Sequence, residues 1–334
     1  MQTATHHVRR SRRWCRAVLA TLLIASVPAC ATSSTSAASP ALTLYTCASA
    51  NVEQAVVTAF RATHPGTAVK VFRAPTGQLN ARVSADTRSG GIRADVIWAC
   101  DPLTMHGYDE QGLLASWQPP NAAAIPAAYR TPHFAGVDVL YVVVVVRSGQ
   151  PAPATWMDLT ASRFHGPIAI PSPTFAASAL GLMGYFASAP NYGMNYYRSL
   201  KRNGAVQVDT PADALTGVEQ GTYAVGVTLA NAAYADQKKG SPIQVVWPRP
   251  GGVAVYAPIG ITTKPHRSTL AASFASFVAS TTGQRVLARN GTYPVLPRLG
   301  GPPIPAGARV AVPDWPSLFS QYKRLLAEYS SIYG

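Results

Sequence analysis

The 334-residue sequence predicts an α/β fold in two lobes. Three observations carry that prediction. Short alternating or β-branched runs recur between segments whose apolar residues repeat at helical spacing, the pattern of strands joined by crossover helices in a parallel sheet. The pattern comes in two blocks of about 100 residues each, the size of an ordinary domain. Hydrophobic residues make up 48% of the chain and charged residues only 13%, about half the usual share for soluble domains, so each block can bury a core.

Element by element, residues 42–46 read as a short alternating strand, and Asn51 opens a helix with Val52, Val56 and Phe60 on one face. His64-Pro65-Gly66 stops that helix. Residues 68–72 form a second strand, Thr76-Gly77 leads a helix carrying Leu79 and Val83, and residues 95–98 form a third strand that ends at Cys100-Asp101-Pro102. The second block opens on the β-branched run 140–146, a buried strand. A strand at 168–171 follows, then helices at 175–187, 191–202 and 211–220, the last with Pro211 in its first turn. Strands return at 224–228, 243–246 and 253–262. Helices at 268–279 and 283–289 and an amphipathic helix at 316–329 close the chain.

The front of the chain has a different character. Arg9, Arg10, Arg12, Arg13 and Arg16 precede an apolar stretch over 17–29 with no acidic residue, a basic n-region followed by an h-region. Val27-Pro28-Ala29-Cys30 resembles a bacterial lipobox. Residues 1–29 are therefore expected to be a signal peptide, and Cys30 the lipidated first residue of the mature chain. An ordinary secreted protein cut just beyond Ala29 is the alternative. Ser11-Arg12-Arg13-Trp14 loosely resembles a twin-arginine signal, which leaves the export route open. Ala, Ser and Thr closed by Pro40 make residues 30–40 a lipid-anchored flexible tether.

Removing residues 1–29 takes away five arginines and no acids, which leaves 23 basic and 14 acidic residues and a net charge of +9. A positive surface that attracts anions is expected, and nucleic acid is not expected as a partner: the basic cluster at 198–202 is interrupted by Ser199 and Leu200, and export removes the chain from nucleic acid. His64, His106, His133, His165 and His266 are scattered without metal-ligand spacing. Nucleophile elbow, phosphate loop and paired-carboxylate motifs are all missing, so enzyme activity is not expected. A secreted hydrolase is the alternative from another class.

Taken together, Leu44-Tyr45-Thr46, Thr76-Gly77-Gln78-Leu79, Ala94 to Trp98 with Asp101-Pro102, Gln111-Gly112-Leu113-Leu114, Trp156-Met157-Asp158-Leu159, Ile168-Ala169-Ile170-Pro171, Gly221 to Gly226 and Gly291-Thr292-Tyr293-Pro294-Val295 resemble, in order and spacing, the ferric-binding-protein-like solute-binding proteins of ABC importers. The resemblance implies a type II periplasmic-binding-protein fold with a hinge of crossing strands and an interlobe ligand cleft. Lobe one would hold 41–138 plus 253–296, and lobe two 139–252 plus 297–334, with the last helix packing back on lobe two. It also implies a monomeric lipoprotein on the outer face of the cell membrane that hands a small solute to an ABC permease, without a cofactor; feeding a sensor instead is the alternative.

Iron carriers of this family use adjacent tyrosines in lobe two with a histidine and a glutamate in lobe one. The matching positions here are Asn231, Ala232, Ser49 and Cys100, none an anionic oxygen donor, so a metal site is not expected. Ferric iron stays open through Tyr234. Ligands in such sheets sit beyond the carboxyl ends of the strands, where helix starts offer free N–H groups and hydroxyls to an anion. Thr46, Ser49, Thr76, Gly77, Asp101, Ser172 and Ser178 are expected to face the cleft, with Thr228 and Asn231 on the far wall. Asp101 would hold an amine on the same ligand, which describes a zwitterionic, phosphonate-like solute; its alternative role is a helix cap. Phosphate esters, thiamine-type cations and polyamines also stay open. In the strand order the family implies, the first and third strands are neighbours, so a Cys47–Cys100 disulfide is expected at the lip of lobe one; two buried free thiols are the alternative.

Overall fold

The computed structural model describes residues 41–334 apart from Lys264 and Arg267. The expected signal peptide, the tether and Cys30 lie outside the described residues. Strands β1 (Ala41–Thr46), β2 (Ala68–Arg73) and β3 (Val96–Trp98) alternate with helices α1 (Ala50–Thr63), α2 (Thr76–Arg88) and α3 (Pro102–Glu110). A long strand β4 (Phe134–Arg147) leads to β5 (Ile168–Pro171), α4 (Ala177–Ser188), α5 (Gly193–Arg202), β6 (Ala205–Val208), α6 (Pro211–Glu219), β7 (Val225–Leu229), α7 (Ala230–Lys238) and β8 (Ile243–Val246). β9 (Gly252–Ile261) returns to the first block, followed by α8 (Ser268–Ala279), α9 (Thr281–Arg289), β10 (Tyr293–Pro294), β11 (Val310–Ala311) and α10 (Trp315–Tyr333).

The strands hydrogen-bond in the order β2-β1-β3-β9-β4-β7-β5-β6, with β10 and β8 also on β4 and β11 on β9. The parallel sheet expected from the sequence holds only within each block: β1 is parallel to β2 and β3, and β5 to β6 and β7. β9 runs antiparallel to β3, and β4 antiparallel to both β9 and β7. The reason is that β4 and β9 are the two crossing strands, each shared between the blocks and running back against its neighbours.

β4 begins six residues before the run the sequence marked out, because Gly136 and Asp138 dilute its β-branched character. Its first part pairs with β9 from Phe134 to Val142, and its last part pairs with β7 from Val142 and β8 from Val144. The β-branched run is buried on both faces: Val142, Val144 and Val146 enter one core, Val143 a second and Val145 a third. The register shifts between Gly136 and Asp138, which face Pro258 and Ala257, so Val137 is the extra residue of a bulge. Pro258 has no N–H to give the ladder, and a bulge re-aims the side chains that follow it.

The sequence reading passed over five regular elements. β6 is a four-residue edge strand with two exposed positions, α3 and α7 are nine-residue helices with weak apolar faces, and β10 and β11 are strands of two residues each. α10 packs on α4 and α5 as expected, but also on α3, where the rings of Phe319 and His106 stack at 3.9 Å. It therefore touches both blocks.

α4 reaches the sheet closely because its inner face is small. A Cβ on Gly181 would stand 2.5 Å from Cγ2 of Val255 and 3.2 Å from the Trp315 ring. Gly181→Val is expected to lower unfolding free energy by roughly 1–3 kcal/mol through overpacking, read from urea denaturation; unchanged stability would mean that α4 stands off β9.

Candidate functional site

Cys47, just beyond β1, and Cys100, just beyond β3, form a disulfide with Cα atoms 5.9 Å apart. The two strands are paired neighbours, Thr46 opposite Trp98, which brings the cysteines side by side. The bond spans a sequence separation of 53; loop entropy makes such a closure worth on the order of 4 kcal/mol, less in practice.

Two cavities adjoin this disulfide and share Cys47, Cys100, Leu140 and Leu229 as walls. The first, about 230 Å³, is lined by Arg73, Thr76, Ser178 and Thr210 with Pro75, Ala176, Ala177 and Pro211. Three helix starts meet there. α2 and α4 begin on Pro75 and Ala176, which offer no capping side chain, whereas Thr210 caps α6 in a box with Asp213. Helix starts carry partial positive charge, and Arg73 adds a full one. Across one side the blocks touch: the Gly77 N–H donates to the Phe175 carbonyl at 3.2 Å, and a Cβ on Gly77 would meet Cδ2 of Phe175 at 3.1 Å. Gly77 is thus a point of close approach, and its N–H is spent on protein.

The second cavity, about 170 Å³, is lined by Ala48, Ser49, Val52, Trp98, Asp138, Asn231, Ala257 and Thr292. Asp138 and Leu140 share one face of β4, as alternate residues of a strand do. Burial pushes the Asp138 carboxyl up to about 7, against a hydrogen bond with Trp98 that lowers it.

Of the residues expected at the cleft, Ser49, Thr76, Ser178 and Asn231 line these cavities. Others do not. Thr46 is fully buried, and its hydroxyl accepts from the Ala48 N–H at 3.0 Å. Ser172 is buried, with its hydroxyl bonded to that of Thr174 at 2.7 Å. Thr228 is buried and donates to the Pro211 carbonyl at 2.8 Å, which fixes the start of α6. Asp101 is fully buried and accepts from the Thr104 N–H at 2.7 Å as the cap of α3; burial raises its carboxyl to about 6. The Tyr234 hydroxyl accepts from the Trp247 indole at 3.0 Å and lies outside both cavities. The sequence reading missed Arg73, Thr210, Asp138 and Thr292. Asp138 sits inside a valine-rich run, and its only signal was a charge where a buried strand should have none.

A family model described as bacterial extracellular solute-binding protein matches residues 42–292, and the chain belongs to that family. Proteins of this family bind a small solute outside the cell membrane for an ABC transporter. Among solved structures, the chain is similar to the periplasmic binding protein P5PA, at 19% identity and a TM-score of 0.79, over 88% of this chain and 100% of that one. AfuA from Actinobacillus pleuropneumoniae, with exogenous fructose-6-phosphate bound, gives 17% identity and a TM-score of 0.79 over 88% and 98%. Iron-bound HitA from Pseudomonas aeruginosa gives 17% and 0.74 over 88% and 99%. These likenesses establish the two-lobed type II binding-protein fold. No curated protein sequence matches the chain. Among the described residues, no helix is long and apolar enough to cross a membrane, and no group of three or more His, Cys, Asp or Glu gathers to hold a metal ion.

The raised Asp138 carboxyl has a consequence for stability. Below pH 4 the group is neutral folded or unfolded; above that the unfolded chain ionises first, so stability is lost as pH rises from about 4 through 7. Asp101 contributes in the same direction up to about 6. Asp138→Asn is expected to remove its share, on the order of 4 kcal/mol between pH 4 and pH 8. Urea unfolding of both proteins at the two pH values tests this, and parallel pH profiles would refute it.

Proposed function

We propose that the protein is a lipid-anchored extracellular solute-binding protein that captures a small anionic solute, phosphonate- or phosphate-monoester-like, for an ABC importer. The observation that carries this reading is the meeting of Arg73 with the starts of α2, α4 and α6 in one 230 Å³ cavity. Backbone N–H groups at helix starts and a guanidinium suit a tetrahedral anion, and each hydrogen bond to a charged group adds about 1.5–3 kcal/mol. The fructose-6-phosphate of the AfuA structure is a phosphate ester held on the same fold. The anion-binding residues are Arg73, Thr76, Ser178 and Thr210. Lobe one comprises 41–138 with 253–296, and lobe two 139–252 with 297–334.

Ferric iron is the second reading, favoured by the iron-bound HitA neighbour. Hard Fe(III) calls for several anionic oxygens, and the two cavities offer Asp138 alone.

Calorimetry with ethylphosphonate and with ferric citrate separates the two. Ethylphosphonate is expected to bind, and Arg73→Ala to weaken it at least about tenfold. Equal affinity in the variant would place the anion away from Arg73, and tight binding of ferric citrate alone would favour iron. Anchoring has its own test: Cys30→Ala is expected to release the protein from the membrane fraction, and unchanged retention would remove Cys30 as the lipid site.

A further inference from the structure

The second cavity contains three side-chain oxygens that nothing accounts for. Oδ1 of Asp138, Oδ1 of Asn231 and Oγ1 of Thr292 are each buried without a hydrogen-bond partner among the described residues, and all three residues line this one 170 Å³ space. Asp138 is 5% exposed and Thr292 4% exposed, so bulk water does not solvate them freely. They come from three separate parts of the chain: the bulged strand β4, the first turn of α7, and the loop after α9. An orphaned buried acceptor is destabilising, more so when charged, and three in one cavity are a cost that a bound donor offsets.

The set is specific in its chemistry. It contains a carboxylate, an amide oxygen and a hydroxyl, which are acceptors or can act as acceptors. The other walls are Ala48, Ser49, Val52, Trp98, Leu140, Leu229, Ala257 and the disulfide, which carry no charge. A primary ammonium has three N–H donors and one positive charge, matching three acceptors and one acid. Low-dielectric walls strengthen that match.

We infer that Asp138, Asn231 and Thr292 form an ammonium subsite, and that the captured solute is a zwitterion whose amine enters this cavity while its anionic group lies at Arg73 in the next. The inference rests on the anion reading above, and it assigns the amine to Asp138 rather than to the buried cap Asp101. The shared walls Cys47, Cys100, Leu140 and Leu229 let one small molecule reach both cavities.

Calorimetry at pH 7.5 with 2-aminoethylphosphonate, 3-aminopropylphosphonate and ethylphosphonate tests it on the parent protein, Asp138→Asn and Thr292→Val. At least one aminophosphonate is expected to bind ten- to a hundredfold more tightly than ethylphosphonate. That ratio is expected to fall to about one in Asp138→Asn and to an intermediate value in Thr292→Val, with circular dichroism reporting that both variants are folded. If ethylphosphonate binds and the amines add nothing, the subsite is overturned and the anion reading stands. A preference that survives in Asp138→Asn also overturns the subsite. If none of the three binds, the anion reading fails and takes this inference with it. Should Asp138→Asn not fold, the Thr292→Val ratio decides, and a parent-like value overturns the subsite.

Discussion

The antiparallel ladder between β4 and β9 is the constraint on which the rest of the molecule depends. Each strand serves both blocks, so the two parallel half-sheets are held as one continuous hydrogen-bonded surface. Neither strand is free to present a polar outer face: every residue of β9 is buried, as are eleven of the fourteen in β4. Such strands are written in Val, Ile and Ala because both faces are covered. Departures from that composition are therefore informative. Pro258 and the bulge opposite it interrupt the ladder where the cleft begins, and the interruption is what aims Asp138 at the cavity.

Two buried acids illustrate how similar sequence features end in different roles. Asp101 precedes a proline at a strand end, the position where a helix cap belongs, and it caps α3. One of its oxygens receives the Thr104 N–H, so its burial is partly offset within its own turn. Asp138 has no local partner of that kind, being in the middle of a strand whose backbone groups are already paired. Its carboxyl meets Trp98 from a separate strand, and Oδ1 lies in the cavity wall without a partner among the described residues. The capping acid and the mid-strand acid look alike as letters. They differ in where their hydrogen bonds go.

Much of the fold was legible in the sequence because its periodicities are local. The strands at 168–171 and 243–246 and the helix at 268–279 agree with the structure to the residue, as each is bounded by turn residues or prolines. The neighbouring ends of β1 and β3, and with them the disulfide, followed from the strand order that the family resemblance implied. The crossing strands were implied by the same resemblance, but their antiparallel sense and the double contact of α10 were not, since both depend on long-range pairing that no window of the chain reveals. The site was half legible. Ser49, Thr76 and Ser178, named from the rule that helix starts face the cleft, and Asn231, named from the family's tyrosine position, line the two cavities. The same rule misplaced Thr46, Ser172 and Thr228, whose short hydroxyls turn back to bond their own loops or a neighbouring one. Arg73 and Asp138 sit at a strand's end and in a strand's middle, positions that the rule does not address.

The disulfide common to both cavities also ties the state of the cleft to place. Such bonds persist in oxidising surroundings and are rare where cytosolic reductants act. A newly made chain inside the cell therefore carries the ends of β1 and β3 held only by backbone pairing, and the wall between the two cavities is fixed once the chain meets an oxidant. Since Cys47 and Cys100 line both cavities, the covalent bond that forms there sets one boundary of each cavity at once.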